Sequence, residues 1–282
     1  MTKADYEGDV KATAAAQEHG SARYRPGRSR LHRYREALTG LDGAQKPGNG
    51  VPAYTRWVNR RLGRYAAAAA HVFHWTPNAV TALSAAVSLA AILLLVLVAS
   101  QPGVGAAVAV LLATGYLLES ADGQVARLQR SGSPAGEWLD HVVDALRTPA
   151  IHLAVLVGLW NQNQPSWILA VALGYCLVSV VEFMSQILAE QLVKYHYRPT
   201  SSALPTPPAG TVRSFLLLPT DNGTFCWIFL AWGFPPLFIV VYTAMFATNL
   251  VHALISMRRK YVKLRPVSHS PRSGDQNSSH TP

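Results

Sequence analysis

The sequence predicts an all-α, polytopic membrane protein with six transmembrane helices and an N-terminal amphipathic helix lying in the membrane interface. Three observations carry this. Half of the residues are hydrophobic and only 14% are charged. The apolar residues gather into runs close to the ~20 needed to cross a bilayer core. Lys and Arg are swept out of those runs: between Trp75 and Met257 they are Arg127, Arg130, Arg147, Lys194, Arg198 and Arg213 alone.

The elements follow in chain order. Residues 1–50 are polar, basic and rich in Gly and Ala, and read as a disordered tail. A weak apolar pattern from Leu31 to Leu38 suits a short surface helix within it. Over 51–75, Tyr54, Trp57, Val58, Leu62 and Tyr65 fall on one helical face, while Arg56, Arg60 and Arg64 recur at i,i+4 on another. Aromatic residues opposite a basic stripe describe an interfacial helix. A six-helix membrane domain then covers 76–260. Its first span opens at Pro77 and Asn78 and runs to about Ala99. The second runs from Val104 to Leu118 and ends at Glu119. The third covers Trp138 to Trp160, and the fourth Trp167 to Leu188. The fifth, Thr224 to Trp232, is interrupted on its N-terminal side by Pro219, Thr220, Asp221, Asn222 and Gly223; the sixth covers Pro236 to Ile255. Residues 261–282, rich in Ser, Pro and His, read as a disordered C-terminal tail.

The loops set an orientation. Ser100 to Gly103, Asn161 to Pro165 and Gly233 to Pro235 contain no Lys or Arg, whereas the opposite loops and both tails hold nearly all of them. The positive-inside rule then places both termini in the cytoplasm of a multi-pass cell-membrane protein. No apolar segment of signal-peptide length occurs before Gly50. Cys176 and Cys226, far apart in apolar runs, support neither a disulfide nor a zinc framework. A net charge of +10 raises the question of nucleic acid. The basic residues flank membrane spans, however, and no nucleic-acid motif accompanies them, so anionic lipid headgroups are the expected counterpart.

One stretch carries chemistry. Glu119, Asp122, Gly123, Ala126 and Arg127 close the second span; after eight residues Gly136, Asp140 and Asp144 open the third. Carboxylates beside hydrocarbon are expensive and mark function. Glu119 and Asp122 are spaced i,i+3, and Asp140 and Asp144 i,i+4, so each pair shares a helical face. Two helix ends each presenting two acids suit a hard divalent cation such as Mg²⁺ or Mn²⁺. Arg147, three residues after Asp144, suits a counter-charge for that acid or a contact for an anionic substrate. His141 falls off the Asp140/Asp144 face, and His152 has no metal-ligand spacing.

The pattern D-x-x-D-G-x-x-A-R-x(8)-G-x-x-x-D-x-x-x-D is the signature of the CDP-alcohol phosphotransferase (CDP-alcohol phosphatidyltransferase) family. This chain resembles it at every fixed position but the first, where Glu119 stands for Asp. The resemblance covers about residues 52–260. It implies a metal-dependent transferase of phospholipid biosynthesis that moves a phosphatidyl group from a CDP-alcohol, CDP-diacylglycerol above all, to an alcohol acceptor and releases CMP. It further implies two Mg²⁺ or Mn²⁺ ions held by Glu119, Asp122, Asp140 and Asp144, with Asp144 also the catalytic base. Asn78, Thr81, Gly123, Arg127, Ser133 and Gly136 would bind the CDP-alcohol, and the protein would be a homodimer. Two alternatives remain open in the sequence: a soluble CDP-alcohol donor with a lipid acceptor, and a non-catalytic member whose metal site has decayed at Glu119.

Overall fold

The structure, a computed structural model, describes residues 29–42, 50–196 and 211–265. The disorder expected of 1–28, 43–49 and 266–282 lies outside the described residues, as does Arg198. Every regular element among them is helical. α1 is Arg30–Asp42. One turn of π-helix, Thr55–Asn59, runs directly into α2, Arg60–Val72. Then come α3 (Pro77–Leu97), α4 (Pro102–Gln129), α5 (Pro134–Asn161) and α6 (Ser166–His196). A broken stretch contains α7 (Thr211–Leu216) and α8 (Asn222–Trp227), each followed by a short 3₁₀ turn, and α9 is Pro235–Leu264.

Five helices, α3, α4, α5, α6 and α9, are long and apolar enough to cross a membrane, and the protein is an integral multi-pass membrane protein. Local chemistry sets their starts. Thr76 caps α3 by accepting from the Ala79 amide at 3.2 Å, and Ser133 caps α5 by accepting from the Gly136 amide at 3.0 Å. Pro follows each cap, where its missing N–H costs nothing. α4 ends at Arg130, whose left-handed backbone (φ 52°) closes the helix as glycine usually does. The helices overrun the expected spans: α4 continues ten residues beyond Glu119 to Gln129, and α9 reaches Leu264, inside the expected tail. α1 likewise gives regular structure to part of the N-terminal tail.

The expected fifth span is not one long helix. Asn222–Ala231 is a short apolar helical piece. Its about ten residues rise only ~15 Å, half of a bilayer core. Pro219 and the Asp221 cap divide it from α7. This piece is nevertheless interior: Phe225, Cys226, Ile228, Phe229 and Trp232 are all buried. Asp221 accepts from the Thr55 amide at one end, and the Trp232 carbonyl accepts from Ser100 Oγ at 2.6 Å at the other. Broken backbone at this depth is tolerable because it is enclosed by protein.

α4 packs chiefly on α3, and α5 packs on α3 and α6 about equally; α4 and α5 hardly touch each other. α2 packs on α4 through the small residues Gly63, Ala67 and Ala68, and α6 joins α5 to α9. The acidic ends of α4 and α5 are therefore held apart across α3, with room between them. At the opposite end the core is tight: Leu95, Val108, Leu159, Phe229, Trp232 and Phe238 form one cluster. There a Cβ on Gly158 would lie 2.6 Å from the Trp232 ring and 2.8 Å from the Leu95 carbonyl. Gly158→Val should thus destabilise the detergent-solubilised protein by about 1–3 kcal/mol. Thermal unfolding followed by tryptophan fluorescence measures it; an unchanged midpoint would contradict this close approach.

Candidate active site

The motif end of α3 fixes the first acid. Thr81 Oγ1 donates to Asp122 Oδ2 at 2.7 Å, and both side chains are buried. Thr81, expected to reach a nucleotide, donates its hydroxyl to Asp122. One turn earlier in the chain, Asn78 stands beside Gly136, where a Cβ would meet its Oδ1 at 3.4 Å and Ser133 Oγ at 3.3 Å. Ser133 caps α5. Asn78, Ser133 and Gly136 therefore gather at the start of α5.

Arg147 organises the other acids. Its Nη2 donates to Glu119 of α4 and to Asp144 of α5, while Nη1 reaches Ser84 Oγ of α3 at 3.2 Å. Ser84 passes the chain on, donating to the Gly115 carbonyl at 2.7 Å. The three side chains of the ion-pair cluster are between 12% and 23% exposed, so little water screens them. Of the two sequence readings of Arg147, counter-charge is the one this geometry favours.

Glu119, Asp122 and Asp140 line one cavity of about 240 Å³ with Gly123, Arg127 and Arg60. Acidic and basic groups thus share a single space. Gly123 keeps its wall low, since a Cβ there would already touch the Arg127 guanidinium at 3.5 Å. The buried Nε of Arg127 has no hydrogen-bond partner among the described residues. Arg60 is half-buried, and desolvation holds its guanidinium below its ordinary pKa, a penalty that an anionic ligand would relieve. Asp144 does not line this cavity; it pairs with Arg147.

Sequence reasoning missed the contribution of the helix expected to lie in the interface. Arg60 was read as part of a membrane-facing stripe, yet it faces the cavity together with Thr55 and Asn59. Asn59, 2% exposed, donates to the Tyr116 carbonyl at 3.0 Å, and Thr55 bonds both Tyr116 Oη and Asp221. A buried Asn on an otherwise amphipathic helix was the available signal. The other two arginines of the stripe also meet protein: Arg64 pairs with Asp42, and Arg56 reaches Ser214. Glu182 accepts from Ser256 and Lys260 and ties α6 to α9. His141 faces Glu137 and Phe183, and His152 is buried on Tyr242, both away from the acids.

The family model for CDP-alcohol phosphatidyltransferase matches residues 74–255, and the chain belongs to that family. No curated protein matches the chain. Members of the family transfer a phosphatidyl group from a CDP-alcohol and use divalent metal ions. The donors here fit such an ion in kind, since all are carboxylate oxygens and three of the acids face one cavity. Among the described residues no three acidic, His or Cys side chains converge closely enough to hold a metal where they stand. Arg147 engages both Glu119 and Asp144, and of these two only Glu119 also lines the cavity. Arg147→Gln would leave both acids without their shared cation. It should lower stability by roughly 2–3 kcal/mol, somewhat less than a fully buried pair would. Mg²⁺ should restore more of the thermal midpoint in this variant than in wild type; equal midpoints without Mg²⁺ would show that the pair carries no stability.

Proposed function

We propose that the protein catalyses metal-dependent transfer of a phosphatidyl group from CDP-diacylglycerol to an alcohol acceptor, with release of CMP. The observation that carries this reading is the shared cavity, where Glu119, Asp122 and Asp140 stand with Arg60 and Arg127. A cavity of one sign would suit a cation or an anion; this one suits a cation and a pyrophosphate together. Glu119, Asp122, Asp140 and Asp144 would hold two Mg²⁺ or Mn²⁺ ions. When bound, the ions would neutralise the phosphates and the leaving group.

The chain's own residues supply the rest. Arg127, with its unpartnered Nε, and Arg60 bind the pyrophosphate and offset its charge. Gly123 lets the nucleotide approach the α4 backbone. Asn78, Ser133 and Gly136 frame the start of α5 beside it. Asp144 takes the proton from the acceptor hydroxyl; the acceptor oxygen forms a bond to the diacylglycerol-bearing phosphorus, the bond from that phosphorus to CMP breaks, and CMP leaves with the electron pair. Thr81 keeps Asp122 in one orientation throughout.

The reading includes a cytoplasmic active site, because the loops at the opposite end of the bundle lack Lys and Arg. It includes a homodimer, as the family resemblance implies, and anionic lipid around the basic motif end. One observation favours a second reading. Arg147 neutralises two of the four acids, as a non-catalytic member that binds CDP-lipid without turning it over would allow. CMP release by purified protein separates the two.

Asp144→Asn keeps shape and removes the base. Turnover should fall about 100-fold or more while CDP-diacylglycerol binding persists. Near-normal turnover would remove Asp144 from the mechanism. Glu119→Ala should abolish CMP release, with excess Mn²⁺ restoring it only in part. Glu119→Asp should impair it modestly, since the pocket accommodates the longer arm.

A further inference from the structure

Basic side chains of α1 and of the turn after α2 come together just before α3 enters the membrane. α2 closes in a Schellman turn: the Trp75 amide donates to the Ala70 carbonyl at 2.9 Å, and the His74 amide to the His71 carbonyl at 3.1 Å. The left-handed position of such a turn is usually glycine; here it is His74, with φ 59°. Its imidazole reaches α1, where Arg33 Nη1 donates to His74 Nε2 at 3.0 Å. A guanidinium has no acceptor, so His74 accepts on Nε2 and keeps its proton on Nδ1. Arg30, one turn before Arg33, lies over the Phe73 ring at 5.9 Å. Gln129 of α4 holds the junction by donating to the Trp75 carbonyl at 2.9 Å.

Among the described residues no carboxylate pairs with Arg33, His71 or His74. Both acids of α1 have other partners, Glu36 in His32 and Asp42 in Arg64. On the inner side, Arg33 Nε and His71 Nδ1 are closed to water and have no hydrogen-bond partner among the described residues. Burial, then the neighbouring His74 and Arg33, holds the His71 imidazole below its ordinary pKa. A counter-charge must therefore come from the open side, where Arg30 and His74 are exposed. That side is apolar at its margin: Leu31, Phe73 and Trp75 are 45–60% exposed. α3 begins its span at Pro77, two residues after Trp75. Exposed aromatic and aliphatic groups beside basic ones at the edge of a span match the boundary between acyl chains and phosphates.

We propose that Arg30, Arg33 and His74 form a binding site for the phosphate of an anionic membrane lipid, with Leu31, Phe73 and Trp75 against its apolar chains. Arg33 supplies charge-assisted hydrogen bonds from the rest of its fork, and His74 the Nδ1 proton. The site narrows the anionic-lipid contact proposed above to named residues. It is read by binding rather than turnover, so it stands or falls separately from the transferase reading. Apart from His74 and Trp75, its residues precede the stretch matched to the family, residues 74–255. An occupied site would clamp α1 to the turn between α2 and α3.

The full-length protein in a neutral detergent provides the test, with thermal unfolding followed against added dioctanoyl phosphatidylglycerol, dioctanoyl phosphatidylcholine and inorganic phosphate. Phosphatidylglycerol should raise the midpoint, half-saturating at a concentration about tenfold below either control. Arg33→Gln should raise that concentration about tenfold. His74→Gly suits the left-handed backbone and so keeps the turn. It should raise the half-saturating concentration about threefold without lowering the lipid-free midpoint, and it decides alone if Arg33→Gln does not fold. Arg35→Gln removes an equal charge from the opposite side of α1 and should change nothing. Half-saturation unmoved by His74→Gly and Arg33→Gln would overturn the site and leave their contact a structural one. An equal loss from Arg35→Gln would overturn it too, as diffuse attraction to basic protein. Inorganic phosphate as effective as phosphatidylglycerol would overturn the lipid assignment.

Discussion

Everything at the motif end depends on keeping four carboxylates inside a bundle that water barely reaches. Desolvating an ionised acid costs several kcal/mol, and adjacent acids repel. The chain meets that cost in two ways. Arg147 bridges Glu119 and Asp144, and so links α4 to α5 across a gap their backbones do not close. Thr81 holds Asp122 from α3. The helix between the two acidic ones is accordingly not uniformly apolar: Thr81, Ser84 and Ser88 form a polar stripe on α3, all buried. Recurring every three or four residues, they bring α3 close to α4 and face the site on successive turns.

The fold was largely legible because a bilayer leaves a chain few options. Runs of about 20 apolar residues between loops alternately basic and neutral admit helices and little else. The helix starts were legible too, since Thr76-Pro77 and Ser133-Pro134 are local signals. The helix ends were not. Apolar counting stops at Glu119, but the backbone ladder does not need apolar side chains, and α4 continues through the motif to Gln129. The interrupted segment was legible as a defect but not as a structure. Pro219 and Asp221 announce the break, while only the packing of Phe225, Phe229 and Trp232 on α4 shows why the pieces stay inside.

The site divides in the same way. The motif names its acids and Arg127 because their spacing is local, and three of those acids do face one cavity. Arg60, Asn59 and Thr55 arrive from more than fifty residues upstream by tertiary packing, which no spacing encodes. Once there, they make the helix before α3 part of the site. Thr55 joins Tyr116 on α4 to Asp221 on the broken segment, and Tyr54 Oη accepts from Trp227. The helix therefore closes one side of the site.

The central claim is that the acids and arginines of the cavity act on one ligand together. Equilibrium binding of CMP to the purified protein, measured over a range of Mg²⁺ concentrations, tests it most directly when Asp122→Asn and Arg127→Gln are examined singly and combined. On this account Mg²⁺ strengthens CMP binding about tenfold or more, each substitution weakens it, and the double variant loses less than the product of the two single effects, because the residues share a ligand. CMP affinity independent of Mg²⁺, with losses from the two substitutions that simply multiply, would contradict it.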